Sequence, residues 1–150
     1  MNWLTPREEI THYSQNFRDF GNNDKISKKE RSDLLINNNY SCRYCGGTYK
    51  KYLIGTYVPT LKVNDVVCRM CYLITHLNYG FYPEMRLYYS EMSQLEIIRK
   101  TVEYIIDNNE MPEPHKIDKN VKLSPISLLE YINLLNNGKS PLTNYKIFFS

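Results

Sequence analysis

The stretch CRYCGG (residues 42–47), together with CRMC (residues 68–71), decides the fold of this chain. Each stretch carries a Cys-x-x-Cys pair, 22 residues separate Cys45 from Cys68, and these four cysteines are all that the chain contains. Paired thiols at this spacing hold a metal ion, form disulfides, act in redox chemistry or frame a nuclease site. Each alternative predicts a different protein.

The composition is that of an ordinary globular protein. With 150 residues, 42% apolar and 23% charged, the chain is expected to form one domain over residues 1–150. It has no apolar run of about 18 residues, and MNWLTPREEITHY at the start lacks the pattern of a signal peptide. We therefore expect no direct membrane insertion and a cytoplasmic location, at the bacterial inner membrane only through a partner. Abundant Asn, Lys, Ile and Tyr indicate a low-GC genome, so a viral gene is also considered, with a location in the host cell or virion.

The cysteine spacing favours one structural zinc ion. Disulfides are rare in the cytoplasm, where this chain is expected to reside. A redox site would need only one Cys-x-x-Cys pair beside a βαβ unit, and no such unit precedes either pair. Zinc prefers tetrahedral coordination by four thiolates, and Gly46 permits the positive φ that turns backbone N–H groups toward sulfur. The predicted ligands are Cys42, Cys45, Cys68 and Cys71. The basic residues that would offset the charge of the thiolates are Arg43, Lys50, Lys51, Lys62 and Arg69.

Helical patterns flank this centre. Capping residues and apolar periodicity predict helices over residues 5–20, from Ser27 to Ile36, over 93–108 and over 124–138. Between Tyr40 and Val67, β-branched and aromatic residues interrupted by Gly and Pro predict a β-hairpin. The side chains expected in the core are Leu95, Ile98, Val102 and Ile105 in the third helix, and Ile126, Leu129 and Ile132 in the last.

These elements predict an α+β fold that is mainly helical. A hairpin knuckle carrying one cysteine pair, followed by a short helix that starts on the second pair, is the treble-clef arrangement. The predicted segments are N-terminal helices over residues 1–39, a treble-clef zinc module over 40–82, a helix over 83–110, and a linker with a C-terminal helix over 111–150.

The module resembles a degenerate HNH nuclease scaffold. YSCRYCGGTYKKY (40–52) followed by NDVVCRMC (64–71) matches its cysteine pairs, and Asn64 lies where that family has a supporting Asn. The family needs a His on the hairpin to activate water and hold a divalent ion, but residues 46–67 contain none. His76 follows the second pair and is interpreted as structural. We therefore expect no enzyme activity.

A second resemblance covers roughly residues 34–110. NNNYSCRYCGGTYKKY (37–52), NDVVCRMC (64–71) and MRLYYSEMSQLEIIRKTVEYI (85–105) resemble the IcmJ (DotN) family, the HNH-like zinc component of the type IVB secretion coupling complex. Glu91, Ser93 and Gln94 match its helix start, while Ser90 replaces the usual proline. The resemblance implies an inert treble clef that binds the tail of a coupling ATPase, so the expected function is that of an adaptor with a protein partner.

Nucleic-acid binding is the alternative. Between Tyr40 and Pro83 the chain has five basic residues and one acid, interleaved with tyrosines that can stack on bases. A viral or phage late-transcription regulator fits this pattern. The candidate nucleic-acid contacts are Arg43, Lys50, Lys51, Lys62 and Arg69.

Overall fold

A computed structural model of the protein describes residues 3–12, 27–58, 63–77 and 84–150. They form two compact units: residues 3–10, 27–58 and 63–72 belong to the first, and residues 11–12, 73–77 and 84–150 to the second. Over these residues the fold is α+β, with five α-helices and two small antiparallel sheets. The helices are α1 Lys28–Asn37, α2 Arg69–Thr75, α3 Gln94–Asn108, α4 Pro114–Ile117 and α5 Leu128–Asn136, and the strands are β1 Leu53–Val58, β2 Val63–Cys68, β3 Met85–Tyr89, β4 Lys122–Leu123 and β5 Tyr145–Phe149.

The first unit is built around the predicted hairpin. β1 and β2 pair antiparallel, with Leu53 opposite Cys68 and Val58 opposite Val63. α1 precedes the hairpin and begins where the sequence predicts, because the Ser27 side chain accepts a hydrogen bond from the Glu30 N–H at 3.1 Å. The Arg31 guanidinium donates to the Leu53 carbonyl at 3.0 Å and ties α1 to β1. The hairpin thus delivers Cys68 to the start of α2.

The second unit contains the other sheet, in the strand order β4-β3-β5. β5 pairs along all of β3, from Met85 opposite Phe149 to Tyr89 opposite Tyr145. α3 packs on this sheet and buries Ile97 and Ile98 completely. A hydrophobic cluster forms there from Ile97, Ile117 and Phe148, with Tyr88, Met92, Tyr104 and Val121 packed against it.

A buried polar network lies in the same unit. His12 Nε2 is 2.6 Å from Gln94 Oε1, and His12 Nδ1 is 2.6 Å from the Tyr131 hydroxyl. The Gln94 amide also accepts from the Ile147 N–H at 2.8 Å and donates to the Ile147 carbonyl at 2.7 Å. Since Gln94 Oε1 is an acceptor, the neutral imidazole carries its proton on Nε2 and accepts at Nδ1.

Several predicted elements differ from the structure. Residues 5–12 form no helix, because their backbone N–H groups bond elsewhere: those of Arg7 and Glu8 donate to the Arg43 carbonyl. The remainder of that predicted helix, residues 13–20, lies outside the described residues. Residues 85–89, placed in a helical segment, form β3, and the expected linker and C-terminal segment contains β4 and β5.

The last helix begins later than predicted, and of the three residues expected in its core only Ile132 is buried. Ser124 forms a local turn with Ile126, and Ser127 caps α5 by accepting from the Glu130 N–H at 3.1 Å. The buried residues of α5 are therefore Leu128, Tyr131 and Ile132, whereas Leu129 is 54% exposed. In α3, Ile98 and Val102 are buried as predicted, while Leu95 and Ile105 are only half-buried.

Candidate metal centre

A turn, a strand and a helix bring the four cysteines together. Cys42 and Cys45 lie in a turn before the hairpin, Cys68 ends β2, and Cys71 lies in the first turn of α2. None of the four forms a disulfide, each is at most 4% exposed, and their sulfur atoms lie within 4.8 Å of one another. Among the residues that the structure describes, no other group of three or more Cys, His, Asp or Glu is arranged to hold a metal ion.

The sulfur spacing fits a single small ion. The Cys45 and Cys68 sulfurs are 3.8 Å apart. Four sulfurs each about 2.3 Å from a tetrahedral centre lie about 3.8 Å from one another, whereas a disulfide requires about 2.05 Å. The cluster therefore has the size of a four-sulfur metal site.

Backbone N–H groups point at the sulfurs. The N–H of Tyr44 donates to Cys42 Sγ at 3.4 Å, that of Gly47 to Cys45 Sγ at 3.3 Å, and that of Cys71 to Cys68 Sγ at 3.4 Å. Such donors stabilise negative charge on sulfur and orient it toward a metal. These N–H groups would therefore stabilise the sulfurs as thiolates around a metal ion.

Two glycines allow the turn that carries Cys42 and Cys45 to pack closely. Gly46 has φ +73°, the positive value expected from the sequence, and a Cβ on it would lie 1.8 Å from the Leu4 carbonyl oxygen. A Cβ on Gly47 would lie 2.7 Å from the Trp3 ring. Position 46 therefore requires glycine, whereas a side chain at position 47 would require the Trp3 ring to shift.

The thiols of the cluster differ in acidity. Burial opposes ionisation of Cys42, but hydrogen bonds with Cys45, Cys68 and Cys71 outweigh it and hold the pKa of Cys42 well below its ordinary value. Hydrogen bonding with Cys42 and Cys45 raises the pKa of Cys68, and burial raises the pKa of Cys71. A buried group of this kind ionises fully only around a cation.

Four charged side chains beside the cluster were not anticipated as a group. Asp65, with its side chain 6% exposed, accepts from the Arg7 guanidinium at 3.1 Å and from that of Arg43, and Arg43 also donates to Glu8 at 2.7 Å. The two positive and two negative charges balance. Arg43, expected to offset the thiolates, is thus engaged by two carboxylates. The signal in the sequence was Asp65, the one acid between the cysteine pairs.

The predicted nucleic-acid contacts fall in different environments. The Arg43 side chain is 14% exposed and ion-paired. Lys50 and Lys51 are exposed on a 3-10 turn, where Lys50 Nζ lies 4.4 Å above the Tyr40 ring. Arg69 is exposed at the start of α2, and Lys62 lies outside the described residues.

Two further residues, His76 and Asn64, were considered for a nuclease site. His76 is 3% exposed, and its Nδ1 lies 3.0 Å from the Thr75 hydroxyl. Asn64 is an exposed residue of β2, opposite Tyr57. Neither belongs to the four-residue metal group.

Within the described ranges, no helix combines the length and apolar character needed to cross a membrane.

Comparison with known proteins gives no match to a protein family, to a curated protein or to a solved structure. The interpretation of the site therefore rests on its own geometry and chemistry.

Proposed function

We propose that this protein is a zinc-stabilised binding protein that performs no chemistry at its metal. The observation that carries the proposal is the closed cluster of four buried thiols. Four sulfurs complete the tetrahedral shell that zinc prefers, and they leave no position at which water or a substrate could bind. A site of this composition stabilises a fold.

The treble clef is the local architecture that we propose for this site. A turn carrying Cys42 and Cys45, the hairpin β1-β2, and a helix that begins between Cys68 and Cys71 follow one another in the order of that motif. The absence of histidine from residues 46–67 supports a scaffold without nuclease activity.

An adaptor with a protein partner is the function that we favour. The resemblance to the IcmJ family suggests the tail of a coupling ATPase as the partner. In this chain Ser93 caps α3 by accepting from the Glu96 N–H at 3.1 Å, and Gln94 is buried, so two of the matched residues have structural roles. Leu123 is 84% exposed and Leu129 54% exposed in the second unit, and a protein partner that covered them would bury apolar surface.

Nucleic-acid binding is the second candidate, and the tyrosine-rich turn favours it. Lys50 and Lys51 are exposed, and the rings of Tyr49 and Tyr52 lie 4.9 Å apart beside them. Cationic groups next to aromatic rings suit single-stranded nucleic acid.

The zinc assignment is tested by native mass spectrometry of the full chain. We expect one zinc ion per chain. The Cys68→Ser variant should lose both the zinc ion and the folded structure, because metal-binding energy in small metal-stabilised folds is largely folding energy. A metal-free, disulfide-bonded chain would contradict the zinc assignment. A Cys68→Ser chain that still folds would contradict a structural role for the metal.

The two functions are separated by two titrations. A labelled single-stranded oligonucleotide should bind at low salt and dissociate as salt rises if the second candidate is correct, and the double variant Lys50→Ala/Lys51→Ala should weaken that binding. Peptides from a coupling-ATPase tail should bind if the adaptor is correct, and the same double variant should leave that binding unchanged. Binding of the oligonucleotide with no binding of the peptides would reverse our preference.

A further inference from the structure

Residues 3–8 lie against the turn that carries Cys42 and Cys45, and we call this segment the strap. Trp3 forms an antiparallel bridge with Gly47, and the Leu4 N–H donates to the Gly46 carbonyl at 2.8 Å. Further along, the N–H groups of Arg7 and Glu8 donate to the Arg43 carbonyl at 2.8 and 3.2 Å. The strap is therefore hydrogen-bonded to both ends of the turn.

Arg7 fastens the strap to the two chain segments that lead into the two cysteine pairs. Its guanidinium donates to the Ser41 hydroxyl at 2.8 Å and to the Ser41 carbonyl at 3.1 Å, immediately before Cys42. The same group donates to Asp65 at 3.1 Å, on the strand that ends at Cys68. One side chain thus spans both halves of the metal cluster.

Asp65 and Arg43 complete the fastening. The Asp65 carboxylate is almost fully buried and accepts from Arg7, from Arg43 and from the Val66 N–H at 2.6 Å. Arg43 in turn holds Glu8 of the strap. A buried carboxylate that loses a cationic partner is strongly destabilised, so these contacts resist separation.

We propose that the strap and its four ion-paired side chains, Arg7, Glu8, Arg43 and Asp65, form a lock that controls how fast the cluster releases its metal. A metal ion leaves a four-sulfur site only when a sulfur moves away from it. Movement of Cys42 or Cys45 requires their turn to shift, and the strap holds that turn in place. The inference rests on the proposed zinc site.

The test is zinc release from the zinc-loaded full chain into an excess of a coloured chelator. Arg7→Gln should release zinc about tenfold faster than the wild type, because it removes a partly buried charged hydrogen-bond donor. Raising the salt concentration should speed release from the wild type more than from Arg7→Gln, since the variant lacks the Arg7–Asp65 ion pair that salt screens.

Two control variants isolate the lock. Glu9→Gln removes one negative charge from the neighbouring position and should release zinc at the wild-type rate. Ser27→Ala removes the cap of α1 in the same unit. It should lower the stability of the protein, but zinc release should be slower than from Arg7→Gln. Asp65→Asn, if it folds, should release zinc at least as fast as Arg7→Gln.

The outcomes distinguish this inference from the proposed function. A wild-type chain that binds no zinc overturns both. A chain that binds one zinc ion but releases it equally fast in the wild type and in Arg7→Gln overturns only the lock. Equal acceleration by Ser27→Ala and Arg7→Gln also overturns it, because general instability would then explain the release.

Discussion

His12 should make the stability of the second unit depend on pH. Burial lowers its pKa from 6.5 to about 4, the hydrogen bond with Gln94 opposes this effect, and the charge of Lys146 adds to it. The Tyr131 hydroxyl, which is hydrogen-bonded to the backbone at Leu142, lies against Nδ1. A proton added at Nδ1 would therefore meet a hydroxyl that already donates there.

The sign and size of the effect follow from this shift. The pKa of His12 is lower in the folded protein than in the unfolded chain. The contribution of neutral His12 to the free energy of unfolding is therefore complete above about pH 6.5 and is lost as the pH falls toward 4. At about 1.4 kcal/mol per pKa unit, this shift is worth about 3 kcal/mol of unfolding free energy in full. About 2 kcal/mol of it is lost between about pH 7.5 and pH 5.

The assay is urea unfolding of the wild type and of His12→Gln at several pH values. Titration of the four-cysteine cluster is common to both proteins, so the difference between their free energies of unfolding isolates His12. We expect the wild type to lose about 2 kcal/mol more than His12→Gln between about pH 7.5 and pH 5. Parallel pH profiles for the two proteins would refute the reasoning.

Three further substitutions test separate contacts by the same unfolding measurement. Gly46→Ala should cost more than about 1 kcal/mol, because φ is +73° and the Leu4 carbonyl occupies the position of the Cβ; a neutral result would contradict the close approach of the strap. Tyr131→Phe should cost about 1–3 kcal/mol, since His12 Nδ1 would lose its partner in the core; an unchanged stability would contradict the buried network. Ser93→Ala should cost about 1 kcal/mol by removing the cap of α3, whereas Ser140→Ala, at an exposed position outside the helices, should cost nothing measurable.

Local signals explain what could be predicted from the sequence. The cysteine spacing predicted that the four cysteines would lie together, as they do, because a Cys-x-x-Cys turn needs only neighbouring residues to form. The caps at Ser27 and Ser93 act within one helical turn, and both helices begin there. The hairpin was recognisable from its β-branched residues for the same reason.

Long-range contacts explain what could not be predicted. Thr5-Pro6 is a sound helix start, yet the backbone of residues 3–8 bonds to a turn some 35 residues further along the chain. β3 and β5 pair across a separation that no sequence pattern reveals. The partnership of Arg7 with Asp65 spans 58 residues. In the first case tertiary hydrogen bonding overrides a local helix preference. In the other two, the partners lie too far apart in the sequence for a local pattern to indicate them.

The position of Gln94 has a consequence for the outer edge of the second sheet. Within the described residues β5 is the outer strand of that sheet, and the N–H and C=O of the fully buried Ile147 point away from β3. The Gln94 amide bonds to both groups, as a further strand would. Gln94 therefore satisfies two backbone groups that water does not reach, and a chain with alanine there would leave a buried N–H and a buried C=O without these partners.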